Sequence, residues 1–384
     1  MGGTGVDGVT VRRGGRTVLR DVTLLADDGE LLAVLGGSGS GKSTLLRTVA
    51  GLERPVAGRV LVRGRTVTTL PPGRRNVAMV FESSALMPFL DVARNLGWGL
   101  RARHVPEGEV RERVSGRARQ LRLGRLLSRK PDALSHGERG LVGVGRALVA
   151  RPDAFLLDEP LGHLDVAERL RVRQQIVEAV RSLGVTMLYV THDQAEALAI
   201  ADRVAVLHDG RVRQVAPPRE LYERPADLVV AGSVGYPPIG LVSARLVSAG
   251  GLAGFAVGAR TLPLWAPVPE PLRPFVDREV VLGLRAEQVD ATGGAEPSAV
   301  TLDAIVTGVE FTGRQQVVTA AVGAPPVTAP GADTVAGTSA GALLRSLSPP
   351  RSEVRRGDQL RLAVDATRAA VFDAATGRAI WHGG

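Results

Sequence analysis

Apolar and polar positions follow two different periods along the first 235 residues of the chain. Short apolar runs bounded by turn residues predict buried strands at residues 31–36, 154–158, 185–191 and 203–208. Apolar positions at helical spacing predict helices at residues 42–51, 137–150 and 165–183. Strands that alternate with helices in this way are typical of a largely parallel α/β sheet.

This pattern changes twice along the chain. Between about residues 83 and 150 the strand pattern disappears and Arg-rich helical segments replace it, which predicts a helical subdomain inserted into the sheet domain. After residue 235, short β-like runs are broken by Gly and Pro, as in 279–290. Residues 236–384 therefore predict a small β-barrel or sandwich, in which the Ala-, Pro-, Gly-, Ser- and Thr-rich residues 324–352 form a mobile loop.

Length and composition support two domains. The chain has 384 residues, of which 44% are hydrophobic, and this is enough to bury a core in each domain. The net charge of +9 at pH 7 could attract nucleic acid, but Lys occurs only at positions 42 and 130, and the Arg residues are spread among 39 acidic ones. Aromatic residues make up only 3% of the chain, which leaves few platforms for base stacking. No nucleic-acid partner is therefore expected.

Cysteine usage and hydropathy exclude further classes of protein. The chain has no cysteine, which excludes disulfides, thiolate metal sites and thiol nucleophiles. The first ten residues show no basic segment followed by an apolar run, so we expect no targeting signal. The longest weakly apolar tract, 240–258, contains Arg245 and is too polar to span a bilayer. Any membrane role is therefore expected to depend on a partner.

The segment GGSGSGKST at 36–44 matches the pattern G-x-x-x-x-G-K-[ST] between a predicted strand and a predicted helix. Its glycines let the backbone approach phosphates, so that N–H groups and the helix N-terminus face the anion. Lys42 can reach the β- and γ-phosphate oxygens, and Ser43 can coordinate Mg²⁺. The sequence therefore predicts ATP and Mg²⁺ binding by Gly36, Gly37, Ser38, Gly39, Ser40, Gly41, Lys42, Ser43 and Thr44.

Two further strand ends carry candidate chemistry. The predicted strand AFLLD ends in Asp158, which would bind Mg²⁺, and Glu159 follows it, where it would orient the attacking water or take its proton. An acidic strand end can also be a helix-capping turn. His192 follows another predicted strand, at the edge where ligands bind in such sheets, although an ordinary hydrogen-bonded histidine would also fit there.

In this order, the motifs resemble the ATP-binding subunit of an ABC transporter over residues 1–235. LSHGE at 134–138 is similar to the family signature LSGGQ, MVFESSALMPF at 79–89 to the Q-loop, and LGHLD at 161–165 to the D-loop. The resemblance implies an α/β P-loop ATPase domain with a helical subdomain.

The resemblance also implies roles for residues outside the phosphate loop. His192 would be the switch histidine, acting with Glu159 in catalysis. Two ATPase subunits, as a homodimer or a related pair, would meet head to tail. Ser135 and Gly137 would then contact the γ-phosphate held by the other subunit, and Asp165 would lie in the D-loop beside it.

Several positions depart from the family pattern. Glu82 stands where the Q-loop has Gln; it can still ligate Mg²⁺ and act in catalysis, but its charge near the γ-phosphate predicts slower hydrolysis. Arg13 stands where the family stacks an aromatic residue on adenine, and it is either a stacking guanidinium or a solvated turn residue. His136 replaces a signature glycine, while Gly140, Gly143 and Gly145 predict a pliable helix after it.

The C-terminal region resembles the OB-like regulatory β domain of importer ATPases, through LGLRAEQV at 282–289 and the segment 357–380. Its VFDAATGRAI is most similar to ATPases of sugar and glycerol-phosphate importers, ahead of polyamine, iron and oxyanion importers. The implied partners are two membrane-spanning permease subunits and, indirectly, an external solute-binding protein. The implied location is peripheral, at the cytoplasmic face of the membrane. Apolar residues within 82–96 would receive a permease helix, unless they are ordinary core.

Two other classes of function stay open. A nucleic-acid-associated ABC ATPase would use the same fold, but such proteins commonly carry two ATPase halves and this chain has one phosphate loop. A weakly active regulatory protein that binds ATP would tolerate the altered loops. Intact Lys42, Ser43, Asp158, Glu159 and His192 argue against that second alternative.

Overall fold

The computed structural model describes residues 2–81, 86–161, 165–291, 300–327, 330–331 and 342–383. The chain divides into two compact units, Met1–Pro218 and Arg219–Gly384.

The first unit contains two sheets. Its strands are β1 Thr4–Arg13, β2 Arg16–Ala26, β3 Leu31–Leu35, β4 Ala57–Val62, β5 Arg65–Thr66, β6 Val77–Val80, β7 Ala154–Asp158, β8 Thr186–Thr191, β9 Arg203–His208 and β10 Arg211–Ala216. The larger sheet has the order β10-β9-β3-β8-β7-β6 and is parallel except for the β10–β9 pair. The smaller, antiparallel sheet has the order β2-β1-β4-β5. Strands β3, β7 and β8 are buried throughout, because helices cover both faces of a parallel sheet.

The helices of this unit are α1 Lys42–Ala50, α2 Val92–Arg101, α3 Glu107–Gln120, α4 His136–Val149, α5 Val166–Arg181 and α6 Gln194–Ile200. Helices α2, α3 and α4 lie between β6 and β7 in the chain, within the range predicted as helical. They share one core with the sheet, in which Leu96, Leu121 and Phe155 are at most 1% exposed.

Helix packing explains one glycine of α4 that looked like a weakness. A Cβ atom at Gly145 would lie 2.7 Å from Leu96 Cδ2 and 3.0 Å from Leu121 Cδ1, whereas one at Gly140 would meet open space. Gly145 therefore lets α4 approach α2 closely.

The apolar positions of α5 divide between the core and the surface. Ile176 and Val180, which recur at helical spacing, are buried together with Val172. Leu170 belongs to the same helical pattern, but its side chain is 45% exposed.

The second unit is mostly β-structure. It has helices α7 Pro218–Glu223, which begins at the boundary, and α8 Leu228–Ser233. Its strands are β11 Gly240–Ala249, β12 Leu252–Val257, β13 Arg260–Pro267, β14 Glu279–Leu284, β15 Val289–Asp290, β16 Thr301–Phe311, β17 Gln316–Val322, β18 Leu343–Ser348, β19 Gln359–Val364, β20 Ala370–Asp373 and β21 Ala379–His382. One sheet has the order β13-β12-β11-β14-β20-β21 and the other β15-β19-β16-β17-β18. The first curves into a nearly closed barrel, which confirms the OB-like prediction.

Two predicted boundaries differ from the structure. Strand β18 lies inside residues 324–352, so the prediction of a mobile loop is wrong for that part; Leu344 is fully buried and the strand pairs with β17. The units divide after Pro218 and not after residue 235. Helix α8, which lies before residue 235, belongs to the second unit because its Leu228 and Ala231 pack into the core of that unit.

Candidate nucleotide site

The carboxyl ends of three adjacent parallel strands meet at one edge of the larger sheet. The strand order β3-β8-β7 brings together the loop after β3, His192 after β8, and Asp158 and Glu159 at the end of β7. A pocket of about 490 Å³ lies at this edge, lined by Ser38, Gly39, Gly41, Lys42, Ser43, Thr44, Glu159 and His192. Ligands bind in such sheets beyond the carboxyl ends of the strands.

The phosphate loop between β3 and α1 requires glycine for two physical reasons. Gly39 and Gly41 have φ angles of 78° and 108°, in the left-handed region that other residues rarely adopt. A Cβ atom at Gly36 would lie 2.3 Å from the carbonyl oxygen of Leu207. The loop leads into the N-terminus of α1, where the N–H groups of the first turn lack intrahelical partners. These groups favour the binding of an anion.

Lys42 is the buried cation of the pocket. Its side chain is 6% exposed, and Nζ donates hydrogen bonds to the carbonyl oxygens of Gly36 at 2.9 Å and Gly37 at 3.0 Å. Nζ also lies 3.7 Å from Glu159 Oε1. These contacts hold the ammonium group beside the loop, where phosphate oxygens can become its acceptors.

Ser43 and Asp158 form a pair of oxygen donors that fits Mg²⁺. Ser43 Oγ donates a hydrogen bond to Asp158 Oδ1 at 2.9 Å, although the residues are 115 positions apart in the chain. Mg²⁺ prefers hard oxygen ligands and in nucleotide sites commonly takes one or two from the protein and the rest from phosphates and water. Among the described residues, no group of three or more His, Asp or Glu side chains is placed so that it could hold a metal ion.

Glu159 and His192 meet directly in the pocket. His192 Nδ1 lies 2.8 Å from Glu159 Oε2. Glu159 has a φ of 47°, an unusual left-handed conformation for a residue with a side chain, and its N–H donates to the carbonyl of Val190 at 3.1 Å. Backbone strain of about 1–3 kcal/mol is often stored at functional positions. Here it accompanies the turn that directs this carboxylate toward Lys42 and His192.

The signature segment begins helix α4. Ser135 is its N-cap and forms a capping box with Glu138: Ser135 Oγ accepts from the Glu138 N–H at 3.1 Å, and Glu138 Oε2 accepts from the Ser135 N–H at 3.0 Å. His136 is the first helical residue and its side chain is exposed. The bulky residue is therefore accommodated in an ordinary helical turn, with Gly137 buried after it.

The remaining predicted residues lie in three places. Gly36, Gly37 and Ser40 are loop residues that do not line the pocket, and Gly36 and Gly37 act through their carbonyls on Lys42. Arg13 ends β1, is exposed, and is not among the pocket-lining residues; its contact with adenine stays a prediction. Glu82 lies outside the described residues.

Asp165 has a capping role that its motif did not indicate. Its side chain accepts a hydrogen bond from the Glu168 N–H at 2.8 Å at the start of α5. Glu168, in turn, accepts a hydrogen bond from the Ser135 hydroxyl, and it was not among the predicted site residues. A glutamate three residues after a capping aspartate carries no signal beyond ordinary helix capping, so this contact could not have been found from the sequence.

Comparison with known proteins agrees with this geometry. Residues 19–162 match the family described as ABC transporter. Over 364 residues the chain is 41% identical to the sn-glycerol-3-phosphate import ATP-binding protein UgpC of Cereibacter sphaeroides, and the match covers 95% of each chain. The chain belongs to the ATP-binding proteins of ABC transporters. As a member of that family, this ABC ATPase is an ATP hydrolase, as predicted.

Other relatives of the ABC ATPase give the same assignment. It is 38% identical over 375 residues to the trehalose/maltose import ATP-binding protein MalK of Thermococcus litoralis, which covers 95% of this chain and 96% of the relative. The structure of cbiO1 from Clostridium perfringens, part of the ABC transporter complex cbiONQ, matches 57% of this chain and 90% of its own, with a TM-score of 0.54 and 28% identity. In the part of the ABC ATPase that the structure describes, no helix combines the length and apolar character needed to cross a bilayer.

Proposed function

We propose that this ABC ATPase energises the import of a carbohydrate or a related solute such as a glycerol phosphate. One observation carries the proposal for the reaction: Lys42, Glu159 and His192 line one pocket together with Ser43, whose hydroxyl contacts Asp158. The direction of transport and the solute class are supported by the relatives, which are named as import ATP-binding proteins for glycerol 3-phosphate and for trehalose and maltose.

In the proposed reaction, the N–H groups of the phosphate loop bind the triphosphate and Lys42 contacts its β- and γ-oxygens. Ser43 and Asp158 would hold Mg²⁺, which when bound neutralises charge on the β- and γ-phosphates. Glu159 takes the proton of the attacking water or orients it. His192, whose Nδ1 lies 2.8 Å from Glu159 Oε2, holds that carboxylate in place.

The proposed assembly is supported by the resemblance of the segment at the start of α4 to the family signature. Two ATPase subunits, most simply two copies of this chain, close head to tail so that Ser135 and Gly137 of one face the γ-phosphate bound by the other. Two membrane-spanning permease subunits receive the motion, and an external solute-binding protein supplies the solute. The ATPase itself lies at the cytoplasmic face of the membrane, attached through the permease.

The test is ATP hydrolysis by the purified chain, measured alone and after reconstitution with the permease encoded beside it, each with and without DNA. In vesicles that contain the permease, hydrolysis is measured with each solute of a panel: maltose, glycerol 3-phosphate, a polyamine, ferric iron and an oxyanion. The expected result is that maltose or glycerol 3-phosphate stimulates hydrolysis. Stimulation by the polyamine, iron or the oxyanion would show that the proposed solute class is wrong. Stimulation by DNA without a permease effect would favour the nucleic-acid alternative, and ATP binding without turnover the regulatory one.

A further inference from the structure

A carboxylate from helix α5 covers the start of the signature helix α4. Ser135 Oγ donates a hydrogen bond to Glu168 Oε1 at 3.1 Å. A Cβ atom at Gly137 would lie 2.4 Å from the same oxygen, so the carboxylate rests against the glycine. We propose that Glu168 is an internal anion that occupies the phosphate-contact position of the signature and must withdraw before two chains close around ATP. This inference rests on the proposed head-to-tail assembly.

The carboxylate is held in this position and is not a loose surface group. Asp165 caps α5 and accepts the Glu168 N–H at 2.8 Å, which fixes the first turn of the helix. The Glu168 side chain is only 19% exposed. Its nearest described charged partner is Arg171, at 3.7 Å, whose side chain is 69% exposed. An exposed arginine at that distance neutralises the carboxylate weakly.

Hydrogen-bond capacity makes the carboxylate and a phosphate mutually exclusive at Ser135. The hydroxyl oxygen already accepts the Glu138 N–H at 3.1 Å, and its single proton is directed to Glu168. That proton cannot serve a phosphate oxygen at the same time. The positive end of α4 attracts either anion, but two anions side by side at Gly137 would repel each other. Binding of a γ-phosphate therefore requires Glu168 to leave.

Two substitutions separate the charge of Glu168 from its hydrogen bond. Glu168→Gln keeps the volume and an oxygen that can accept the Ser135 hydroxyl, but removes the negative charge. Glu168→Ala removes both. Both variants remove the negative charge at the N-terminus of α4, and the charge-assisted hydrogen bond from Ser135 is weakened in Glu168→Gln and lost in Glu168→Ala. We therefore expect both variants to close at about three- to tenfold lower nucleotide concentration than the unmodified chain. Glu178→Gln is the matched control, since it makes the same change at an exposed position of the same helix.

Closure can be measured with a label on one introduced cysteine, because the 384-residue chain contains no cysteine of its own. A single spin label at Arg103→Cys, an exposed position of the helical subdomain, reports the distance between the labels of two chains as Mg²⁺ and a non-hydrolysable ATP analogue are added. Binding of a fluorescent form of the analogue is measured in parallel. The expected result is a shift of the closure midpoint for both Glu168 variants and none for Glu178→Gln.

The outcomes distinguish this inference from the proposed function. An unchanged midpoint in both Glu168 variants, with normal analogue binding, would overturn the role of Glu168 alone. A midpoint that moves to higher nucleotide concentration would overturn it as well, since Glu168 would then support the signature. Failure of every chain to bind the analogue would refute the proposed function and this inference with it.

Discussion

Replacement of Glu159 by Gln tests whether this carboxylate serves the reaction or only balances the charge of Lys42. Gln preserves the shape of the side chain but cannot accept a proton from water. Loss of a general base typically lowers turnover by about 10²–10⁴-fold. We therefore expect Glu159→Gln to lower kcat by at least about a hundredfold.

The expected effect on nucleotide binding is much smaller. Lys42 Nζ lies 3.7 Å from Glu159 Oε1, and the Glu159 side chain is 25% exposed. At that distance the gross Coulomb attraction is about 4 kcal/mol for an effective dielectric constant near 20, of which solvent screening leaves about 1 kcal/mol. Releasing Lys42 and removing a negative charge beside the γ-phosphate should tighten binding by up to about fivefold.

The assay is steady-state ATP hydrolysis together with direct titration of a fluorescent ATP analogue, with Glu178→Gln as the control for the loss of one surface charge. A turnover number within tenfold of the unmodified chain would refute the role of Glu159 in the reaction. A loss of affinity without a change in kcat would identify Glu159 as a charge partner of Lys42 only.

Further substitutions test the packing of both units and the altered Q-loop. Gly145→Ala places a Cβ atom 2.7 Å from Leu96 Cδ2 and should destabilise the first unit by up to about 2 kcal/mol. Gly140→Ala places its Cβ atom in open space and should stabilise α4 by about 1 kcal/mol. Thermal unfolding measures both, and melting-temperature shifts of the same sign would contradict this prediction. Arg285→Met removes a buried guanidinium that donates hydrogen bonds to the carbonyls of Tyr222 and Val234. The free energy of unfolding of the second unit, measured with denaturant, should fall by about 2–4 kcal/mol. The control is Arg245→Met at an exposed position, and an equal effect of the two substitutions would refute this prediction. Glu82→Gln should raise the hydrolysis rate, because it removes a negative charge near the γ-phosphate; an unchanged rate would show that Glu82 does not limit the reaction.

Local patterns along the chain were sufficient to predict the features of this protein that depend on neighbouring residues. The phosphate loop is contiguous with its strand and its helix, so its glycine spacing, Lys42 and Ser43 indicate both a turn and an anion site. The four predicted strands of the larger sheet match the observed bounds to within a residue at each end, because a parallel strand buried on both faces is a continuous apolar run. Strand β18 was missed because its apolar residues lie within a stretch dominated by small and polar ones.

Which groups from distant parts of the chain come into contact depends on how the strands and helices pack. The hydrogen bond between Ser43 and Asp158 spans 115 positions and depends on the strand order β3-β8-β7, which local patterns do not specify. The packing of α5 decided that Leu170 is exposed. The contact of Ser135 with Glu168 depends on how α4 and α5 pack, and no local rule relates residues on two helices. Sequence motifs can therefore identify the reactive groups, but long-range packing determines which of these groups form hydrogen bonds with one another.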